Sequence, residues 1–147
     1  MPVPPEYERA SAQFYSFLVD AREAAGLATT HQTYTMVQGV LRTFRRRLDV
    51  GDALRFADLL PPLLRSLFVT DWDAQAPRAP FADRATMTTE VRSLRPAHNF
   101  SPDDAIEAVA VALHGYVDAE AFEALLRTLP DGAVDFWRPP GRISSAD

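Results

Sequence analysis

The sequence predicts an all-α protein: a compact helical bundle of two similar multi-helix units, about six to eight helices in all, with no sheet. Three observations lead there. Apolar residues recur at three-to-four spacing along most of the chain. The segments they form start at capping residues and stop at Gly or Leu-Pro. The stretch LLPPLLRSLFVTDW (residues 59–72) returns in shorter form as LRTLPDGAVDFW (residues 126–137). In both copies an apolar run ends in Leu-Pro (Leu60-Pro61, Leu129-Pro130), and an aromatic, Phe68 or Trp137, stands seven residues after the proline.

The 147 residues suit one domain, read here as residues 1–147 with repeat units at about 6–72 and 81–137 and loose tails at 1–5 and 139–147. A hydrophobic fraction of 47% is that of a chain that folds on a core. With no cysteine, neither a disulfide framework nor a thiolate metal site is available. The N-terminus lacks the basic and apolar regions of a secretory signal, and no apolar run reaches the ~18 residues a membrane span needs. A cytoplasmic protein is expected. The net charge is −5, and all 15 basic residues are arginine, which with the abundant alanine points to a GC-rich bacterial genome. Mild acidity argues against a nonspecific nucleic-acid binder, whose affinity would rest on phosphate neutralisation, so no nucleic acid is expected, and without a long apolar run no membrane is expected either.

After the proline-rich opening, Tyr7, Ala10, Phe14, Phe17, Leu18 and Ala21 share one helical face, and Gly26 stands at the C-cap position. Thr29 or Thr30 can cap the next helix, whose inner face is Tyr34, Val37, Val40, Leu41, Phe44 and Leu48. Gly39 in its middle costs ~1 kcal/mol against alanine, and its bare Cα invites a neighbouring helix to approach. Asp49 caps a third helix (Ala53, Phe56, Ala57, Leu60) that must stop near Pro61. Pro61 and Pro62 then suit the first turn of a short helix burying Leu63, Leu64, Leu67 and Phe68.

Residues 71–80 read as a connector. A polar helix is expected over 81–94, with Met87, Val91 and Leu94 inward. Ser101-Pro102-Asp103-Asp104 is the strongest helix start in the chain: an N-cap serine, proline at the first position, then carboxylates at the positive helix end. It leads into Ile106, Val109, Ala110, Leu113 and Tyr116. Asp118 caps the run Phe122, Leu125, Leu126, Leu129, which Pro130 stops.

The halves align. Thr29, Val37, Leu41 and Phe44 match Ser101, Val109, Leu113 and Tyr116 at a shift of 72; Asp49, Phe56, Leu60 and Phe68 match Asp118, Leu125, Leu129 and Trp137 at 69. The three-residue difference falls where the first half carries Arg45-Arg46-Arg47. Residues 101–105 followed by an Ala/Val helix and Leu-Pro, together with residues 41–72, resemble the repeat of a bacterial family with no established activity, domain of unknown function 2267. The resemblance covers roughly residues 14–137. It implies a small helical bundle and carries over no catalytic residue. The second copy departs from it where Asp131-Gly132-Ala133-Val134 replaces Pro62-Leu63-Leu64-Arg65, which leaves the length of the last helix open.

Candidates for chemistry are few. His31, His98 and His114 are far apart and form no HxxxH or ExxH pair, so no metal site is expected. Asp103 and Asp104, being adjacent, point in different directions and suit the helix terminus better than paired acid–base work. No GxSxG, P-loop or GxGxxG string occurs. A helix-turn-helix around Gly115 is rejected, because Asp118, Glu120 and Glu123 would face phosphates. That leaves Arg42, Arg45, Arg46, Arg47 and Trp72 as contacts for an anion or a partner. Against this, consecutive helical arginines fan over about 200° and suit a helix C-terminus near Asp49 and Asp52, while Trp72 suits packing over the end of the first unit.

The sequence therefore points to a non-enzymatic module that binds a protein partner or itself, with no catalytic residue, metal or cofactor. The Ala105, Ala108 and Ala112 face offers close contact between subunits. The alternative is a regulatory domain binding a small anionic ligand between the two units, with Arg42 and Arg46 as its contacts.

Overall fold

The computed structural model describes residues 3–139, so residues 1, 2 and 140–147, most of the expected loose tails, lie outside it. Among the described residues the chain forms nine α-helices, one 3-10 turn and no strand: α1 Pro5–Glu8, α2 Ala10–Ala25, α3 Thr30–Arg45, α4 Val50–Ala57, α5 Pro62–Val69, α6 Arg84–Ser93, the 3-10 turn Pro96–His98, α7 Ala105–Leu113, α8 Ala119–Leu126 and α9 Ala133–Phe136. None is long and apolar enough to cross a membrane.

Local chemistry sets most of these boundaries. Thr29 caps α3 in a full capping box with Gln32, Asp49 caps α4, Asp83 caps α6 and Asp118 caps α8. Gly26 ends α2 in the left-handed region, and Pro62 opens α5 where no N–H is missed.

Several expectations are corrected. The first helix is broken at Arg9 (φ −100°, ψ 7°), so Tyr7 lies on the short α1, which buries nothing, and stands 52% exposed. Helix α6 starts at Arg84, three residues late, because Asp83 supplies the cap. Ser101 does not cap α7. Its hydroxyl turns back to Asn99 Oδ1 (2.5 Å), while Asn99 Nδ2 donates to the Val91 and Leu94 carbonyls at the end of α6. Helix α7 then begins at Ala105 with no side-chain cap. Helix α9 is half the length of α5: Gly132, at φ +106°, starts it, and an added Cβ there meets Phe81 at 2.6 Å.

The two most extensive helix contacts are α2 against α7 and α3 against α6. Each joins the first half of the chain to the second. Helix α3 is the centre of the molecule, with ten of its sixteen residues buried, and α7 is buried at seven of nine. Gly39 explains the second contact: a Cβ there would sit 2.7 Å from the Val91 carbonyl, so only glycine lets α6 come this close. Ala105, Ala108 and Ala112 are all buried inside the monomer (0%, 3% and 5% exposed), so that face is spent within the fold and is unavailable to a second subunit.

Between the long helices the core is aromatic. Phe44 meets Phe56 (4.7 Å between centroids), Phe136 (5.0 Å) and Trp137 (5.3 Å), and Phe56 also meets Phe68 (5.1 Å) and Phe122 (5.7 Å). Tilted and edge-on pairs of this kind contribute about 0.5–1.5 kcal/mol each beyond buried area. Phe68 and Trp137, the aromatics seven residues after each Leu-Pro, thus belong to one cluster, both fully buried.

Candidate functional site

Four arginines stand at the end of α3, and the 100° step of the helix spreads them over three sets of partners, Arg46 and Arg47 sharing Glu90. Arg42 Nη2 approaches Asp71 Oδ2 at 3.4 Å. Arg45 Nη1 donates to the Phe68 and Thr70 carbonyls (2.8 and 3.0 Å), capping the C-terminus of α5, and its guanidinium lies 5.6 Å from the Trp72 ring centroid. Arg46 pairs with Glu90 (2.5 Å), and its carbonyl accepts from Ala79 N. Arg47 is buried. Its two Nη atoms take both Glu90 oxygens (2.7 and 2.6 Å), Nη1 also reaches the Thr43 carbonyl, and Nε donates to the Pro80 carbonyl.

The run is thus a clamp. It fastens both ends of the 71–80 connector, and through Glu90 it fastens α6, to the end of α3. Its expected neighbours are elsewhere: Asp52 pairs with Arg55 (2.7 Å), and Asp49 caps α4 with Arg78 at 3.8 Å. The Arg47 hydrogen bonds hold the Glu90 carboxyl below its ordinary range; partial burial opposes them, and the charges of Arg47 and Arg46 reinforce them. Burial, followed by the nearby Arg42 charge, lowers the Arg45 guanidinium, with Asp71 pulling the other way.

The connector does not lie flat. With the end of α3 and the start of α4 it encloses an open groove of about 610 Å³, whose lining includes Arg45, Arg46, Val50, Trp72, Asp73 and Arg78. Trp72 is half-buried there with Arg45 against its ring, so it packs on the end of the first half yet keeps part of its surface in the groove. Asp71, next to it, holds a left-handed backbone (φ 54°), an uncommon conformation for a residue with a side chain. Of the five predicted contact residues, the groove gathers Arg45, Arg46 and Trp72. Arg42 lines a separate pocket of about 230 Å³ between α3 and α6, together with Arg46 and Glu90, and Arg47 lines neither.

The profile of an uncharacterised conserved protein family, DUF2267, matches residues 14–136, from within α2 to the last residue of α9. The chain belongs to DUF2267. The clamp and the groove both fall inside the DUF2267 match, and so does the aromatic cluster apart from Trp137. No curated protein matches the chain.

No group of three or more His, Asp or Glu residues placed to hold a metal occurs among the described residues of this DUF2267 protein. His31 and His98 are exposed on separate elements. His114 lines a pocket of about 210 Å³ that also contains Glu123, but its Nε2 is engaged by the Trp137 carbonyl at 2.9 Å. Sequence reasoning missed Glu90. Its signal was visible only in part, as a lone carboxylate with no cation three or four residues away in a polar helix.

Proposed function

We propose that this DUF2267 protein is a non-enzymatic interaction module that docks another protein, or a second copy of itself, at the Trp72 groove. The observation that supports this is the groove: it exposes part of a tryptophan and the apolar Val50 (40% exposed) among ionic groups, and it brings no base near a nucleophile. A photo-crosslinking residue at Asp73, on the groove rim, tests it against the same residue at Glu8 on α1. Discrete covalent adducts in the producing cell are expected from position 73 alone. Their absence overturns the reading.

A regulatory domain for a small anionic ligand is the second reading, favoured by the pocket between α3 and α6 where Arg42 and Arg46 meet. Glu90 lines the same pocket and already holds Arg46, which weakens its pull on an anion. A thermal-shift screen with phosphorylated metabolites in which nothing raises the midpoint removes it. We also read the chain as two copies of one unit, α2–α5 and α6–α9. The element order and the reciprocal α2–α7 and α3–α6 contacts support that reading.

A further inference from the structure

Two arginines of the clamp are buried, and the fold treats them differently. Arg47 receives both oxygens of Glu90. Arg45, only 7% exposed, has no carboxylate oxygen within 4.0 Å among the described residues. Its compensation is two carbonyls and the face of Trp72. Carbonyl dipoles and a ring quadrupole stabilise a cation less than a hydrogen-bonded carboxylate does, and a buried charge gains most from a partner. What sets Arg45 apart from Arg47 is that it opens on the groove.

The other charges of the groove are already engaged or well hydrated. Asp71 is held by Arg42, Asp49 by the α4 cap and Arg78, and Arg46 by Glu90. Asp73 has no cation partner among the described residues, but it is exposed and accepts from the Gln75 backbone N–H, so water serves it. Among the described residues, Arg45 is the buried cation of the groove with no carboxylate in ion-pair range, Asp71 acting on it only from beyond that distance, and the exposed part of Trp72 with Val50 supplies an apolar wall beside it.

From this geometry we propose that the occupant of the groove is a peptide segment of a partner protein. It presents a carboxylate to Arg45 and an aromatic or aliphatic side chain to Trp72. The inference rests on the interaction-module reading and names the chemistry of its partner.

The test uses the full chain and three isosteric probes, phenylacetate, phenylacetamide and phenethylammonium, followed through the Trp72 indole and Arg45 Nε–H resonances. Phenylacetate is expected to shift both, with affinity at least about tenfold above the neutral amide, a gap of about 1.4 kcal/mol. Arg45→Lys should narrow that gap, and the wild-type comparison stands even where this variant folds poorly. Acetyl-Ala-Phe with a free C-terminus, run against acetyl-Glu-Phe-amide, tells a terminal carboxylate from an acidic side chain. Stronger binding of phenethylammonium, or equal binding of acid and amide, overturns the carboxylate proposal. Crosslinking from position 73 in the producing cell is independent of these probes, so failure of the docking reading is separately visible.

Discussion

At the scale of single residues, Gly39 and Glu90 carry more of the fold than their types suggest. Gly39→Ala drives a methyl group into the Val91 carbonyl, and neither backbone yields cheaply. A loss of about 1–3 kcal/mol in chemical denaturation is expected. Gly115→Ala is the control: its added Cβ meets the nearest atom, the Ala112 carbonyl oxygen, at an ordinary 3.5 Å, so stability should hold or rise slightly. Glu90 has its folded-state pKa depressed, chiefly by Arg47. The stabilisation it contributes is therefore present above the ordinary value of 4.5 and is lost as pH falls through the folded value. Glu90→Gln should flatten the acid limb of the stability–pH curve and cost about 3 kcal/mol near neutrality, because Arg47 is left buried without its counter-charge. An unchanged acid limb in urea titrations would falsify this account.

At the scale of elements, caps and corners separate into those that act locally and those that do not. Thr29 closes a capping box on α3, so Thr29→Ala should cost about 1 kcal/mol. Ser101→Ala acts elsewhere. It disturbs the Asn99 contacts that close α6, and amide exchange should quicken at the end of α6 more than at the start of α7. Leu64 and Phe68 on α5 are 2% and 0% exposed, and Phe68 packs at a tilt against Phe56. Leu64→Asp or Phe68→Asp should unfold the protein, since a buried unpaired carboxylate approaches the whole ~5–15 kcal/mol margin of a domain. A soluble variant with near-normal melting contradicts this.

At the scale of the molecule, the reciprocal contacts α2–α7 and α3–α6 leave neither half with its own closed core, and the aromatic cluster draws rings from both. The chain should therefore unfold as one unit. In a Trp72→Phe background, Trp137 fluorescence reports the core and far-UV dichroism reports the helices; the two urea transitions should coincide. Separate midpoints would show that one half melts alone.

Most of the helices and the caps at Thr29, Asp49 and Asp118 were legible in the chain because they depend on neighbours within four residues: the spacing of apolar side chains, Thr29 with Gln32, Asp118 with Ala121. Membership of DUF2267 was legible for the same reason, being carried by helix punctuation. The arginine run and Trp72 could be named as candidates, yet their roles could not. Arg47 meets Glu90 forty-three residues away, Arg45 meets carbonyls at the end of another helix, and Ser101 prefers Asn99 to the helix it precedes. By itself, the sequence determined most of the helical segments and most of their apolar faces, though Tyr7 and Leu63, read as inward, stand exposed. Only the tertiary structure decided which half each face meets, which charges are paired across the fold, and that Arg45 is buried at the edge of a groove without a carboxylate in ion-pair range. Periodicity is a property of the backbone and travels with the sequence. Pairing between distant charges depends on burial and approach, which exist only once the helices are packed.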